Sequence, residues 1–150
     1  MMQKFLAPFL LTILCLPGLV RADQAVRSGG YIVRYAALSS TSLTPEIARA
    51  YGIQRRANHA LLIINTQRET TLGKTVAVTA TASGSAADLM GNLQPLQLHA
   101  SPQAGSGDLF AEFDTVNGEF LHFDLGVTPQ GAAAPIAVKF QQQFYNDTDD

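Results

Sequence analysis

The side chains able to do chemistry are few and scattered. Three histidines, His59, His99 and His122, occur with no ligand spacing such as HxxxH. His122 is expected to lie across a hairpin from Glu112, a pairing that can contribute to a metal site with a ligand from elsewhere. It reads more plainly as an ordinary cross-strand pair. Three arginines, Arg49, Arg55 and Arg56, fall in and just after one short helix. They are the candidate ligand-binding residues, because a guanidinium fork matches the geometry of a carboxylate or phosphate. The plainer reading is a solvated loop in which an arginine bonds exposed backbone carbonyls. Ser83, Ser85 and Ser106 lie in small-residue stretches without a nucleophile-elbow pattern, and no motif ties a histidine to them. The tail Asp147, Thr148, Asp149, Asp150 lacks the glycine and distal glutamate of a calcium loop and reads as a solvated end. No catalytic residue, metal ligand set or cofactor is therefore expected. An enzyme is the least favoured class, since catalysis needs titratable groups held close together.

The amino-terminal residues set the context. Lys4 precedes an apolar run from Phe5 to Leu16, followed by a Pro17-Gly18 break and by Val20 and Ala22 two apart. That order is the layout of a secretory signal over residues 1–22, cleaved after Ala22 and delivering the chain to the periplasm. The run is shorter than the ~20 residues a spanning helix needs, so no membrane insertion is expected after cleavage. Cys15 is the single cysteine and leaves with the signal. Leu14 before it is too bulky for lipid attachment. The exported domain, residues 23–150, then has neither thiol nor disulfide, which excludes cysteine nucleophiles, thiolate metal sites and redox work. It is long enough for one core and too short for two. Cleavage removes Lys4 and Arg21 from 10 basic residues while all 12 acids remain, a net charge of about −4. Nothing in this balance suggests nucleic acid, and none is expected as a partner, because displacing its counterions needs a concentrated basic face.

From Tyr31 onward most of the chain alternates in period two, with Val, Ile, Phe and Thr between turn residues. The first strand sets Tyr31, Val33, Tyr35 and Ala37 on one face. His59 to Gln67 contains four successive aliphatics, Leu61 to Ile64, and is expected to be central and covered on both faces. Thr75 to Ala82 reads as one strand with a threonine-rich wet face. Ser83 to Leu93 reads as a long connection. Leu96, Leu98 and Ala100 alternate with Gln97 and His99. The last run buries Ile136, Val138, Phe140 and Phe144 and wets Ala137, Lys139, Gln141 and Gln143.

Leu109 to Val127 is read as a hairpin. A three-residue loop of Val116, Asn117 and Gly118 pairs Phe113 with Leu121, Ala111 with Phe123 and Leu109 with Leu125, with Gly118 left-handed in a bulge. This turns Phe110 and Phe120 outward as candidate interaction-surface residues, to be covered by the helix, by the 83–93 stretch or by a partner. The helix itself, within Leu43 to Arg55, has Thr44 as cap, Pro45 at its first position, Glu46 at its positive end and Gly52 to end it left-handed. Ile47 and Tyr51 are expected to face the sheets, with Ile53 packing back on Ala48. About seven antiparallel strands with one short helix after the first predict an all-β, immunoglobulin-like sandwich, with a closed barrel as runner-up.

The strand Tyr31 to Tyr35, the block LTPEIARAYGIQR from Leu43 to Arg55 with Asn58 to Leu62 after it, Thr79 to Ala82 with Leu89, Gly91 and Leu93, and the closing Phe140 to Asp147 together resemble a family known as domain of unknown function 4426. The resemblance implies export and a sandwich fold, and no activity. The residues themselves favour an exported, non-enzymatic module that binds another protein of the cell envelope through a sheet face or edge. The alternative is a periplasmic carrier of a small anion or metal ion. Neither partner, ligand nor oligomeric state is written in the sequence.

Overall fold

Alternation predicts which side chains turn inward, and two sheets close on each other to bury them. In the computed structural model residues 24–102 and 106–146 are described. The expected signal and the acidic tail lie outside them. The strands are β1 (Ala25–Ser28), β2 (Tyr31–Ser39), β3 (His59–Glu69), β4 (Thr75–Ala77), β5 (Ala80–Ala87), β6 (Leu93–Pro95), β7 (His99–Ala100), β8 (Leu109–Asp114), β9 (Phe120–Pro129) and β10 (Ile136–Gln143). One sheet runs β1-β2-β3-β8-β7, with β4 paired to β3 beyond the end of β8; the other runs β10-β9-β5-β6. The strand pairs are antiparallel, and the protein is a two-sheet β-sandwich.

The core between the sheets holds Val33, Leu62, Ile64 and Ala111 from one side and Leu121, Phe123, Leu125, Val127 and Val138 from the other. An aromatic stack threads it: Phe123 lies parallel to Phe140 at 4.5 Å and edge-on to Phe113 at 5.4 Å. Phe140 stacks in turn on Tyr35, and Phe144 closes against Phe113 at 5.5 Å. With no cysteine among the described residues, this packing has no covalent supplement.

Strand β3 is central and covered on both faces, as its four aliphatics require. Leu62 and Ile64 enter the main core, while Leu61 enters a second, smaller core with Leu43, Ala48 and Ile53. That second core lies beneath helix α1 (Pro45–Tyr51). The helix is built as its sequence dictates: the Thr44 hydroxyl accepts from the Ile47 amide at 3.3 Å, Pro45 opens it, and Gly52 at φ 70° ends it. The Ile53 amide then donates to the Ala48 carbonyl at 2.8 Å, folding Ile53 back under the helix. The sheet-facing stripe is centred between Ala48 and Tyr51, so Ile47, expected to face the sheet, is instead 46% exposed.

Three expectations about connection are corrected. The Leu109 to Val127 segment is an arch rather than a hairpin: β8 pairs with β3 and β9 with β5 and β10, so the two arms lie in opposite sheets. The turn closes on itself, the Glu119 amide donating to the Val116 carbonyl at 3.0 Å, but no ladder joins β8 to β9. Thr115 donates to the Asn58 carbonyl and Gly118, left-handed at φ 78°, donates to the Phe144 carbonyl. The Thr75 to Ala82 run changes sheets at Val78 and Thr79 and becomes β4 and β5. Ser83 to Ala87, read as part of a connection, continues β5. Its residues are small because β9 runs close beside them: a Cβ on Gly84 would overlap the Asp124 carbonyl and stand 2.8 Å from the Leu125 Cα.

Candidate functional site

The arginine cluster is built by the end of α1 and the loop that follows. Ser40, fully buried, donates its hydroxyl to the Arg56 carbonyl at 2.9 Å and accepts from the Arg56 amide at 3.1 Å, which pins this loop to the end of β2. Arg55 donates through Nη2 to the Thr41 carbonyl at 3.0 Å. Arg56 Nη2 lies 3.2 Å from His59 Nδ1 and 3.6 Å from Asp114 Oδ1. Arg49 stands exposed in the last turn of the helix. Two of the three candidate guanidiniums are thus engaged within the chain.

The same corner holds a network that the hairpin reading concealed. Because β8 pairs with β3, Asp114 lies opposite His59 and Glu112 opposite Leu61. His59, 6% exposed, places Nε2 at 2.6 Å from Glu112 Oε2 and Nδ1 at 3.4 Å from Asp114 Oδ1. Glu112 therefore meets His59 rather than His122, which lies in the other sheet opposite Gln141 and Ala87. A carboxylate oxygen accepts, so Nε2 donates to Glu112, while Nδ1 faces both the Arg56 guanidinium and the Asp114 carboxylate. Both ring nitrogens are occupied, which makes this a positioning network that ties the loop after α1 to β8. Among the described residues no three or more His, Cys, Asp or Glu side chains are arranged to hold a metal.

Phe110 and Phe120 separate. Phe110, in β8, is half-buried under the helix, edge-on to Tyr51 at 5.9 Å and tilted against His99 at 6.1 Å. Phe120 opens β9 in the other sheet and is 38% exposed. They share no face, contrary to the hairpin register; cover for Phe110 comes from within the chain.

A different apolar surface stands at the end of the sandwich where β5 turns into β6. Leu89, Met90 and Leu93 are 72%, 89% and 71% exposed. The turn carrying them is ordered by one side chain: Asp88 Oδ1 accepts from the amides of Met90 and Asn92 at 2.9 Å each, and Oδ2 accepts from Asn92 Nδ2 at 2.7 Å. Gly91 completes the turn at φ 84°. The Asn92 side chain foremost, with the Asn92 backbone amide next, holds the Asp88 carboxyl below its ordinary 3.8, because these donors favour the charged form. Ala87 pairs with His122, two residues into β9, so the tip shares its end of the sandwich with Phe120. Leu89, Met90 and Leu93 around Gly91 were visible in the sequence, inside a stretch whose other residues are mostly small and polar.

The fold and this surface define a two-sheet β-sandwich with an apolar tip on an ordered turn. The chain belongs to the family Domain of unknown function (DUF4426), whose model matches residues 25–147. It is similar to the crystal structure of a DUF4426 family protein from Pseudomonas aeruginosa PAO1, with 27% identity and a TM-score of 0.69 over 83% of this chain and 95% of that one. No curated protein matches it.

Proposed function

We propose that this chain is exported to the periplasm and acts there as a non-enzymatic interaction module, docking another cell-envelope protein through the β5–β6 tip. One observation carries the reading: Leu89, Met90 and Leu93 stand in water on a turn held rigid by the Asp88 carboxylate. Large apolar side chains on an ordered turn are already placed for a partner, so little conformational entropy is lost when they are covered. Burying each contributes about 1.5–3 kcal/mol. Methionine adapts its shape to a partner's surface.

A photo-crosslinking residue at Met90, compared with one at Leu72, which is 82% exposed on the turn between β3 and β4, tests this in cells. The expected result is a discrete adduct from position 90 that is missing from position 72 and lost in the Leu89→Glu variant. Equal labelling from both positions, or none from position 90, refutes it.

A further inference from the structure

At the opposite end of the sandwich a cleft of about 700 Å³ opens where the β4–β5 crossing, residues 106–108 before β8 and the turn after β9 meet. Its volume lies within the range of small-molecule sites. Ala77, Ala80 and Leu109 supply apolar lining, while Arg68, Asp108 and Gln130 supply polar groups. Gly107 fixes one wall: at φ 68° it brings its backbone so near Val78 that a Cβ would stand 2.7 Å from the Val78 carbonyl oxygen.

The polar groups carry the argument. The guanidinium of Arg68, near the end of β3, has no hydrogen-bond or ion-pair partner among the described residues. Asp108 accepts from Asn65 Nδ2 at 2.6 Å through Oδ1, and no cationic group lies within ion-pairing distance of it among the described residues. A guanidinium and a carboxylate thus line one cleft without pairing with each other, and the bond to Asn65 holds the carboxylate in place. Gln130 takes the Thr79 hydroxyl on its carbonyl at 2.8 Å, which leaves its NH₂ as a further donor.

We infer that this cleft binds a free α-amino acid with an aliphatic side chain. Such a zwitterion answers both charges at once: its carboxylate receives Arg68 and the Gln130 NH₂, and its ammonium donates to Asp108. Its side chain lies on Ala77, Ala80 and Leu109. A simple anion leaves Asp108 unanswered and like-charged with the ligand, and a simple cation does the same to Arg68.

The test is an amide-resonance titration of the mature chain with L-leucine, with hexanoate and isoamylamine as single-charge controls. Leucine is expected to shift Gly107, Asp108 and Gly131 while leaving Met90 and Gly91 at the far end unmoved. The two controls should bind at least about tenfold more weakly, since each forfeits one charge-assisted contact. Arg68→Gln and Asp108→Asn should each weaken leucine by roughly ten- to a hundredfold. Asp108→Asn keeps an acceptor for Asn65, and Arg68 is exposed, so both variants retain the fold. No shift with leucine up to about 10 mM, equal binding of hexanoate, or affinity unchanged in both variants overturns the inference.

Discussion

Replacing Phe123 by alanine should remove more stability than any other single truncation on β9. The ring is 2% exposed and stacks on Phe140 at 4.5 Å and 6°, edge-on to Phe113 at 5.4 Å and to Phe144 at 6.2 Å. Its neighbours come from both sheets, so the space it leaves cannot be closed by one strand shifting. Large-to-small changes of this kind cost about 3–5 kcal/mol, and lack of collapse puts this site in the upper half of that range. Small domains have about 5–15 kcal/mol in all. With a urea dependence of about 2 kcal/mol per molar, the midpoint should fall by roughly 2 M. The chain has no tryptophan, so the transition is followed by far-ultraviolet circular dichroism. Phe120→Ala is the matched control: the same deletion at a ring 38% exposed should cost below about 1 kcal/mol. Equal losses for the two variants would refute the assignment of Phe123 to an inter-sheet stack.

Gly84→Ala should destabilise by about 1–3 kcal/mol in the same urea assay, because its Cβ meets the β9 backbone and only main-chain movement can relieve the overlap. Thr44→Ala should cost about 0.5–1 kcal/mol, near the lower end for a helix cap since the bond to the Ile47 amide is 3.3 Å long. Asp88 has a folded-state pKa below its ordinary 3.8, so its contribution is complete above that value and disappears as pH falls through the folded value. Thermal midpoints of Asp88→Asn should therefore approach those of the native chain as the pH drops below 3.8, and a gap that stays constant contradicts the turn's electrostatics. Mass spectrometry of the chain recovered from a periplasmic fraction should show a mature form beginning at Asp23; a retained amino terminus counts against cleavage after Ala22, and recovery from the cytoplasmic fraction alone counts against export.

The helix could be read residue by residue because its signals are local: cap, first-turn proline and terminating glycine each act within four positions. The central place of β3 was legible for a similar reason, since Leu61 to Ile64 leave no face for water. Inward faces were also legible, and Leu121, Phe123 and Leu125 are buried as alternation requires. Partnership was not. Period two states which face a residue takes, and an arch and a hairpin give the same inward set for Leu109 to Val127. The pairing of His59 with Glu112 was hidden by that ambiguity, because it depends on β8 lying beside β3. Composition misled at Ser83 to Ala87, where small residues mark strands in close contact rather than a connection.

The repeated passage of the chain from one sheet to the other sets the order in which it can assemble. Ala80 must wait for Pro129, and His59 for Asp114, before either sheet has its middle. Pairings that distant form slowly. A freshly made chain therefore stays open for a time, its edges unpaired, before the two sheets lock together.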